Sequence, residues 1–280
     1  MNSTPSLQGK TVFITGASRG IGKAIGLRAA RDGANVVVTG KTSEPHPTLP
    51  GTIHTAAAEM EAAGGKTLAV AMDVRDEAQV EAAIAQTVER FGGLDVLVNN
   101  ASAIALTGTL DTPMKRFDLM HQVNTRGTFL CSQKAIPHLK RADNPHILNL
   151  APPLAATLRP KWFAPHLAYT MAKYGMSLCT YGMAEEFKND GIAVNALWPR
   201  TAIDTEAIRV ISGEEVRRTR TRRVEIVADA AHFILTRPSR TYTGRFLIDD
   251  NVMKEAGVTD LSRYLQEGAR ADDLMGDFFL

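Results

Sequence analysis

Tyr169 and Lys173 are the residues whose types and spacing most directly suggest chemistry. They are four positions apart in a segment with helical periodicity, so both side chains lie on one face of the helix. An ammonium group beside a phenol favours the phenolate and lowers the pKa of the phenol. A tyrosine of this kind can donate a proton in a reduction, or accept one in an oxidation, near neutral pH. A Tyr-x-x-x-Lys pair is common by chance, so this interpretation depends on the rest of the chain.

A glycine-rich turn at residues 15–22, with the sequence Thr-Gly-Ala-Ser-Arg-Gly-Ile-Gly, is the second candidate. It lies between an apolar run at 11–15 and a helical pattern at 20–32. Glycines allow a tight turn and a close approach to a pyrophosphate, and the helix N-terminus adds free N–H groups. In this context the turn favours dinucleotide binding, with a purely structural turn as the alternative.

The end of the second predicted strand bears on the choice of dinucleotide. A site for NAD would place Asp or Glu there to accept the ribose 2′-hydroxyl, but the sequence reads Thr39-Gly40-Lys41. Lys41 and Arg19 could hold a 2′-phosphate by charge-assisted hydrogen bonds. The alternative is that both are solvated surface bases. The sequence therefore predicts NADP(H) as the cofactor.

These residues need a scaffold, and the chain supplies alternating strands and helices. The predicted strands are 11–15, 35–39, 67–72, 94–98, 146–150, 191–197 and 245–248, and the predicted helices are 20–32, 77–91, 113–139, 167–187 and 226–235. Because the strand runs are apolar throughout, they indicate a parallel sheet covered on both faces. We predict an α/β fold, a Rossmann-type doubly wound parallel sheet of about seven strands in a single domain. Two proline-rich segments, 42–53 and 151–166, are predicted loops.

Composition excludes several classes of protein. The chain has 280 residues, with 32 basic and 30 acidic side chains, which argues against a nucleic-acid-coating protein. Two cysteines, Cys131 and Cys179, cannot form a disulfide framework, and the seven histidines show no metal-ligand spacing. No apolar run approaches the ~18 residues of a membrane span, and no signal peptide is visible. We expect a cytoplasmic location, no metal, no nucleic acid and no membrane span.

The combined motifs resemble the short-chain dehydrogenase/reductase family. The resemblance extends over roughly residues 8–250 and rests on the glycine turn, Asp73-Val74, Asn99-Asn100-Ala101, Asn124 and the Tyr169/Lys173 pair, which follow in the order and approximate spacing of that family. It implies a dinucleotide-binding catalytic domain over 1–250, with 251–280 as a C-terminal extension packed on it. The apolar end of this extension, Phe278-Phe279-Leu280, is expected to dock, either over the substrate pocket or on a neighbouring subunit.

The resemblance also implies roles for individual residues. Those expected to line the cofactor diphosphate and adenosine ribose are Gly16, Ser18, Arg19, Gly20, Ile21 and Gly22. Those expected near adenine, the second ribose and the carboxamide are Asp73, Val74, Asn99, Ala101, Pro199 and Thr201. Tyr169 would donate the proton, Lys173 would bind the nicotinamide ribose, and Asn124 would hold a proton-relay water. The alternatives are purely structural roles. Asp73 could form a turn at the end of its strand, and Asn124 could be a helix-bend residue whose hydrogen bonds are satisfied within the protein. The helices at 113–140 and 167–187 imply a homodimer or homotetramer.

One departure from the family pattern concerns the serine that polarises the substrate carbonyl just after the fifth strand. Here the strand runs into Ala151-Pro152-Pro153, none of which has a hydroxyl group. Thr157 or Ser102 could substitute, Tyr169 could act alone, or turnover could be low. We expect an NADP(H)-dependent oxidoreductase that acts on a carbonyl or secondary alcohol of a lipid-like or acyl-CoA-type substrate. The alternative is an NADP(H)-binding protein with weak or no dehydrogenase activity.

A basic cluster follows the sixth predicted strand. Its members are Arg217, Arg218, Arg220, Arg222 and Arg223. They could capture the phosphates of an acyl-CoA substrate. The alternative is a solvated helix face whose partners are Glu214, Glu215 and Glu225.

Overall fold

Parallel strands form the central sheet of this computed structural model, which describes residues 5–47, 49–154 and 159–280. Within these residues the strands are β1 Thr11–Ile14, β2 Asn35–Gly40, β3 Lys66–Ala71, β4 Val96–Asn99, β5 His146–Asn149, β6 Ala193–Trp198 and β7 Phe246–Ile248. Their order is β3-β2-β1-β4-β5-β6-β7, and every neighbouring pair is parallel. The predicted seven-stranded, doubly wound sheet in one domain is confirmed.

Helices cover both faces of the sheet. In the described residues they are α1 Gly20–Arg31, α2 Ile53–Ala62, α3 Glu77–Phe91, α4 Met114–Met120, α5 Gly127–Leu139, α6 Pro160–Phe163, α7 Leu167–Glu186, α8 Glu206–Thr219, α9 Glu225–Leu235 and α10 Asp249–Glu255. A π-helical turn, His121–Arg126, joins α4 to α5. Consecutive residues of β1 point to opposite faces: Val12 and Ile14 pack into one core and Phe13 into the other.

Four of these helices were not predicted: α2, α6, α8 and α10, of which α6 lies within the predicted loop 151–166. No helix is predicted between β2 and β3, yet α2 begins at Ile53, the last residue of the predicted proline-rich loop. Thr52 caps it, and its hydroxyl accepts the N–H of Thr55 while the Thr55 hydroxyl accepts the N–H of Thr52. This reciprocal cap is formed by two threonines rather than the usual Ser/Thr and Glu/Gln pair, so the usual pattern misses it. Helix α8 was missed because charged residues dominate it and Gly213, with φ of 88°, kinks it.

The topology determines where a ligand can bind. The chain leaves β1 for β2 on one side and returns to β4 on the other, so a crevice opens at the carboxyl ends of β1 and β4. The glycine turn follows β1, and the 99–101 segment follows β4. The predicted functional residues therefore meet at one edge of the sheet.

Candidate active site

A cavity of about 680 Å³ extends from the glycine turn to the N-terminal part of α7. Predicted site residues that line it are Gly16, Ser18, Arg19, Gly20, Ile21, Lys41, Asp73, Val74, Ala101, Tyr169, Lys173 and Pro199. The predicted residues that do not line it are Gly22, Asn99, Asn124 and Thr201. The volume lies within the range of cofactor and ligand pockets.

The glycine turn is held by close backbone packing. Gly16 has φ of 69°, and a Cβ atom there would lie 3.0 Å from the Cα atom of Ala101. The Asn100 amide donates to the carbonyl oxygens of Thr15 and Gly16 at 2.9 and 3.0 Å. A Cβ atom on Gly22 would lie 2.5 Å from the Asn100 Nδ2 atom, so the glycine there allows the turn to pack against Asn100.

The N-terminus of α1 opens onto this turn. No side chain caps it within the described chain, and its first turn holds no acidic residue. Its free N–H groups and positive dipole end are therefore available to an anion. These features fit the diphosphate of a dinucleotide.

Charged groups surround the far end of the cavity beyond β2. The Lys41 Nζ atom lies 3.3 Å from an Asp73 carboxylate oxygen. Hydrogen bonds from Arg75 hold the pKa of Asp73 far below its usual value, with Lys41 contributing, so Asp73 is ionised at neutral pH. Arg19 donates to the carbonyl oxygens of Pro50 and Gly51, both at 3.1 Å. Lys41 is mostly exposed and remains accessible to a phosphate, whereas Arg19 also binds residues 50–51 to the site.

Tyr169 and Lys173 lie buried on one face of α7, at the other end of the cavity. The Lys173 ammonium donates to the Leu150 carbonyl oxygen at 2.6 Å and lies 4.9 Å from the centre of the Trp198 ring. Burial lowers the pKa of Lys173 to about 7, against an opposing effect of the Asp277 carboxylate. The lysine therefore titrates near neutral pH.

The pKa of Tyr169 departs from the expectation. Burial raises it, and the negative charge of Asp277 raises it further. The predicted lowering by Lys173 is wrong for this structure, because desolvation dominates and the ammonium is directed to the Leu150 carbonyl group. A phenol of raised pKa stays protonated, which suits a proton donor.

Three of the predicted site residues, Asn99, Asn124 and Thr201, contact other parts of the protein rather than the cavity. Asn124, on the π-helical turn, accepts the Ala103 N–H at 2.8 Å and donates to the Ala103 carbonyl oxygen at 3.0 Å. Asn99 donates to Asn149 at 2.8 Å and so links the ends of β4 and β5. Thr201 is buried and bridges to Gly276. Neither Asn99 nor Asn124 lines the cavity, but Asn124 fixes the backbone of Ala103, which does.

The place of the family's serine is closed. Ala151 is buried, and the Pro152 carbonyl oxygen accepts the Ser177 hydroxyl at 2.6 Å. Of the two candidate substitutes, Ser102 lines the cavity, whereas Thr157 lies outside the described residues.

A C-terminal segment, residues 275–280, forms part of the site. Asp277 and Phe278 line the cavity, and Phe279 is fully buried, with its ring centre 6.0 Å from that of Tyr169. The indole N–H of Trp198 donates to the Phe278 carbonyl oxygen at 2.8 Å. The sequence predicts docking of the apolar end of this segment but not the position of Asp277, since a lone aspartate carries no motif.

Three of the five arginines in the cluster have partners, whereas two side-chain nitrogens of Arg222 are buried without a hydrogen-bond partner in the described residues. Arg217 forms ion pairs with Asp204 and Glu214 at 2.6 and 2.7 Å, and Arg223 with Glu225 at 3.2 Å. Arg220 donates to the Asp273 carbonyl oxygen at 3.0 Å. These contacts favour the solvated, internally paired interpretation over a phosphate-binding cluster.

A family model described as short chain dehydrogenase matches residues 10–215 of this chain. The chain therefore belongs to the short-chain dehydrogenase family, and the resemblance seen in the sequence is confirmed.

Two curated relatives show a more specific similarity within this family. Hydroxysteroid dehydrogenase-like protein 2 of Danio rerio is 59% identical over 280 residues, which cover 100% of this chain and 66% of that protein. The human protein of the same name is 56% identical over 278 residues, or 99% of this chain and 65% of that protein. The chain thus spans somewhat less than two thirds of the length of these curated relatives. Segments 124–127 (Asn-Thr-Arg-Gly) and 196–199 (Ala-Leu-Trp-Pro) suggest this relationship already in the sequence.

Solved structures agree on the fold. A crystal structure of a short-chain dehydrogenase homologue from Mycobacterium thermoresistibile is 52% identical, with a TM-score of 0.91 and coverage of 98% of this chain and 96% of that one. The structure of a 7α-hydroxysteroid dehydrogenase complexed with NADH and 7-oxo glycochenodeoxycholic acid is 26% identical, with a TM-score of 0.77 and coverage of 89% and 96%.

Proposed function

We propose that the protein is an NADP(H)-dependent oxidoreductase that moves hydride between the nicotinamide and a carbonyl or secondary alcohol. The observation that carries this proposal is that one cavity joins the glycine turn and uncapped α1 N-terminus to the Tyr169/Lys173 pair. A dinucleotide bound along it would supply the hydride at the end where Tyr169 lies. The test is to follow NADPH absorbance with a panel of ketones, aldehydes and acyl-CoA thioesters.

The chain's own residues would handle the proton and the positioning. Tyr169, kept protonated by burial, donates its phenolic proton to the carbonyl oxygen during reduction. Lys173 would turn its ammonium from the Leu150 carbonyl group to the nicotinamide ribose, and its pKa near 7 lets it return a proton to the tyrosine. The buried floor around both residues excludes water from the reacting carbonyl group.

The proposed substrate is lipid-like. Apolar side chains from three separate segments line the cavity: Ile104 after β4, Val210 and Ile211 on α8, and Phe278 in the C-terminal segment. The 7α-hydroxysteroid dehydrogenase neighbour holds an oxo bile acid, which is a carbonyl compound on an apolar frame. An acyl-CoA substrate is less favoured, because Arg217 and Arg223 already form ion pairs within the protein.

The second candidate function is binding of NADP(H) with little or no turnover. The closed serine position, with Ala151 and Pro152 in place of a hydroxyl donor, favours it. Tight NADPH binding without turnover on any carbonyl of the panel would establish this function instead.

Lys41→Ala tests the preference for NADP(H). We expect the dissociation constant for NADPH to rise roughly 10- to 100-fold, because a charge-assisted hydrogen bond to the 2′-phosphate contributes roughly 1.5–3 kcal/mol. NADH binding should not change, since it lacks that phosphate. Quenching of tryptophan fluorescence measures both constants, and Lys66→Ala, an exposed lysine at the start of β3, serves as the control. An unchanged NADPH constant would mean that Lys41 does not select the cofactor.

We also propose a homodimer or homotetramer built on α5 and α7, in a cytoplasmic location. Large apolar side chains on these helices are exposed: Phe129, Met171, Leu178 and Tyr181. Cys131 and Cys179 are both free, as a reducing compartment allows. No helix in the described part of the chain is long and apolar enough to cross a membrane.

Tyr181→Glu combined with Leu178→Glu should reduce the assembly to a smaller species. Burying two unpaired carboxylates between copies costs several kcal/mol, which is comparable to the stability of such an interface. Light scattering after size exclusion measures the mass, with Leu110→Glu, at 99% exposure, as the control. A wild-type protein that is already monomeric, or a variant of unchanged mass, would contradict this proposal.

A further inference from the structure

A carboxyl group lies in the site and has no part in the reaction proposed above. Asp277 lines the cavity together with Tyr169 and Lys173. Its Oδ1 atom accepts the backbone N–H of Phe278 at 2.6 Å. A backbone hydrogen bond thus orients this carboxyl group in the wall of the cavity, where a ligand can contact it.

The backbone around Asp277 holds this carboxyl group in place. The Asp277 N–H donates to the Arg200 carbonyl oxygen at 3.1 Å, and the Ala202 N–H donates to the Met275 carbonyl oxygen at 2.9 Å. The indole of Trp198 fixes the next carbonyl group along the segment. The segment therefore pairs with the loop after β6, so the carboxyl group is preorganised rather than carried by a free tail.

The surroundings of Asp277 determine its charge. Burial raises the pKa of Asp277 to about 8, and the nearby Asp249 carboxylate on α10 also raises it, while the Phe278 N–H and the Lys173 ammonium lower it. From α7, Tyr169 faces it as well. The other charged groups of this region are Arg200, which pairs with Asp250, and Arg222, which interacts with Asp249. At neutral pH the carboxyl group is therefore mostly protonated and can act as a hydrogen-bond donor.

We propose that the neutral carboxyl group of Asp277 donates a hydrogen bond to the carbonyl oxygen of the substrate, in the role that the family gives to a serine hydroxyl. This proposal rests on the proposed oxidoreductase function. As the hydride forms a C–H bond at the carbonyl carbon, the C=O electron pair moves to oxygen, which takes the proton of Tyr169. Asp277 keeps its own proton and stabilises the developing negative charge.

Substitutions at Asp277 separate donation from packing. Asp277→Leu should lower kcat by about 10²–10³, the usual cost of one lost oxyanion donor, with NADPH affinity unchanged. Asp277→Asn keeps an N–H donor of the same shape and should retain kcat within about tenfold. Asp272→Asn, an exposed carboxylate earlier in the C-terminal region, is the matched control and should resemble the wild type.

The pH profile is a second readout. In the wild type, the reduction rate should fall as pH rises through about 8, because the ionised carboxylate no longer donates and repels the oxyanion. Asn does not titrate, so this decline should be absent in Asp277→Asn. Ionisation of Lys173 near 7 remains in both proteins and cannot account for the difference.

The deciding experiment does not need turnover. Acetophenone labelled with ¹³C at its carbonyl carbon is bound together with NADP⁺, a pair that cannot react, and its C=O stretch is recorded by infrared difference spectroscopy. A donated hydrogen bond lowers this frequency. In the wild type at pH 6.5 we expect the C=O frequency to be lowered. The lowering should be smaller above pH 9, and it should also be smaller in Asp277→Leu than in the wild type at pH 6.5.

The outcomes distinguish this proposal from the function on which it rests. A bound, shifted band in the wild type that stays the same in Asp277→Leu would overturn the role of Asp277 alone. If Ser102→Ala abolishes the shift instead, Ser102 is the donor and the proposal is wrong. A wild type with neither a bound carbonyl band nor turnover would refute the oxidoreductase function itself. Tryptophan fluorescence matched to the wild type verifies that the C-terminal segment stays docked in each variant, because Trp162 and Trp198 both contact this segment.

Discussion

Tyr169→Phe should lower the rate of carbonyl reduction by about 10²–10⁴, because it removes the group that protonates the developing alkoxide. The ring remains, so its packing against Phe279, with centroids 6.0 Å apart, should persist. NADPH affinity should change little, since the glycine turn and the N-terminus of α1 provide most of the contacts expected for the dinucleotide. Steady-state kinetics with NADPH, together with a fluorescence titration, give both quantities.

Tyr181→Phe is the matched control, because it removes the same hydroxyl group from the same helix at a side chain that is 67% exposed. It should leave kcat unchanged. If Tyr169→Phe retained the wild-type rate, the proton would come from elsewhere and the assignment of Tyr169 would be wrong.

Phe279→Ala should lower the free energy of unfolding by about 3–5 kcal/mol, the usual cost of truncating a fully buried phenylalanine. The Phe279 ring packs among aromatic rings of Tyr174 and Trp198 besides Tyr169, with centroids 5.5, 5.6 and 6.0 Å away. The resulting cavity would lie between the backbone of the C-terminal segment and these three rings. Urea denaturation monitored by circular dichroism measures the loss.

The same variant should reduce kcat, because Asp277 and Phe278 lose the anchor that holds them at the cavity. Leu110→Ala, at a residue that is 99% exposed, provides the control and should lie within about 0.5 kcal/mol of the wild type. A Phe279→Ala protein within about 1 kcal/mol of the wild type would mean that the segment is not packed as the structure has it.

Local patterns account for what the sequence predicted well. The turn at 15–22 and the Tyr169/Lys173 pair each lie within eight residues, and their geometry follows from strand, turn and helix alone. The parallel sheet follows from apolar runs such as β1, whose four residues are all buried. Since carboxyl ends of parallel strands meet at one edge, these motifs predict the cofactor side of the site.

Long-range docking accounts for what the sequence did not predict. Asp277 reaches Tyr169 and Lys173 only because Trp198 and Arg200, nearly 80 residues earlier, bind the C-terminal segment. The pKa of Tyr169 was misjudged for a similar reason, because burial by distant Phe279 and the Asp277 charge outweigh the neighbouring lysine. No periodicity or local motif encodes such contacts.

Transfer of deuterium from NADPH labelled at the reactive C4 position tests the central claim most directly. The wild-type protein is incubated with this cofactor and acetophenone, and the alcohol formed is analysed by mass spectrometry. The proposed function predicts one deuterium on the carbinol carbon of the product, with far less product from Tyr169→Phe over the same time. Bound NADPH that transfers no deuterium to acetophenone or to any other carbonyl of the panel would contradict it.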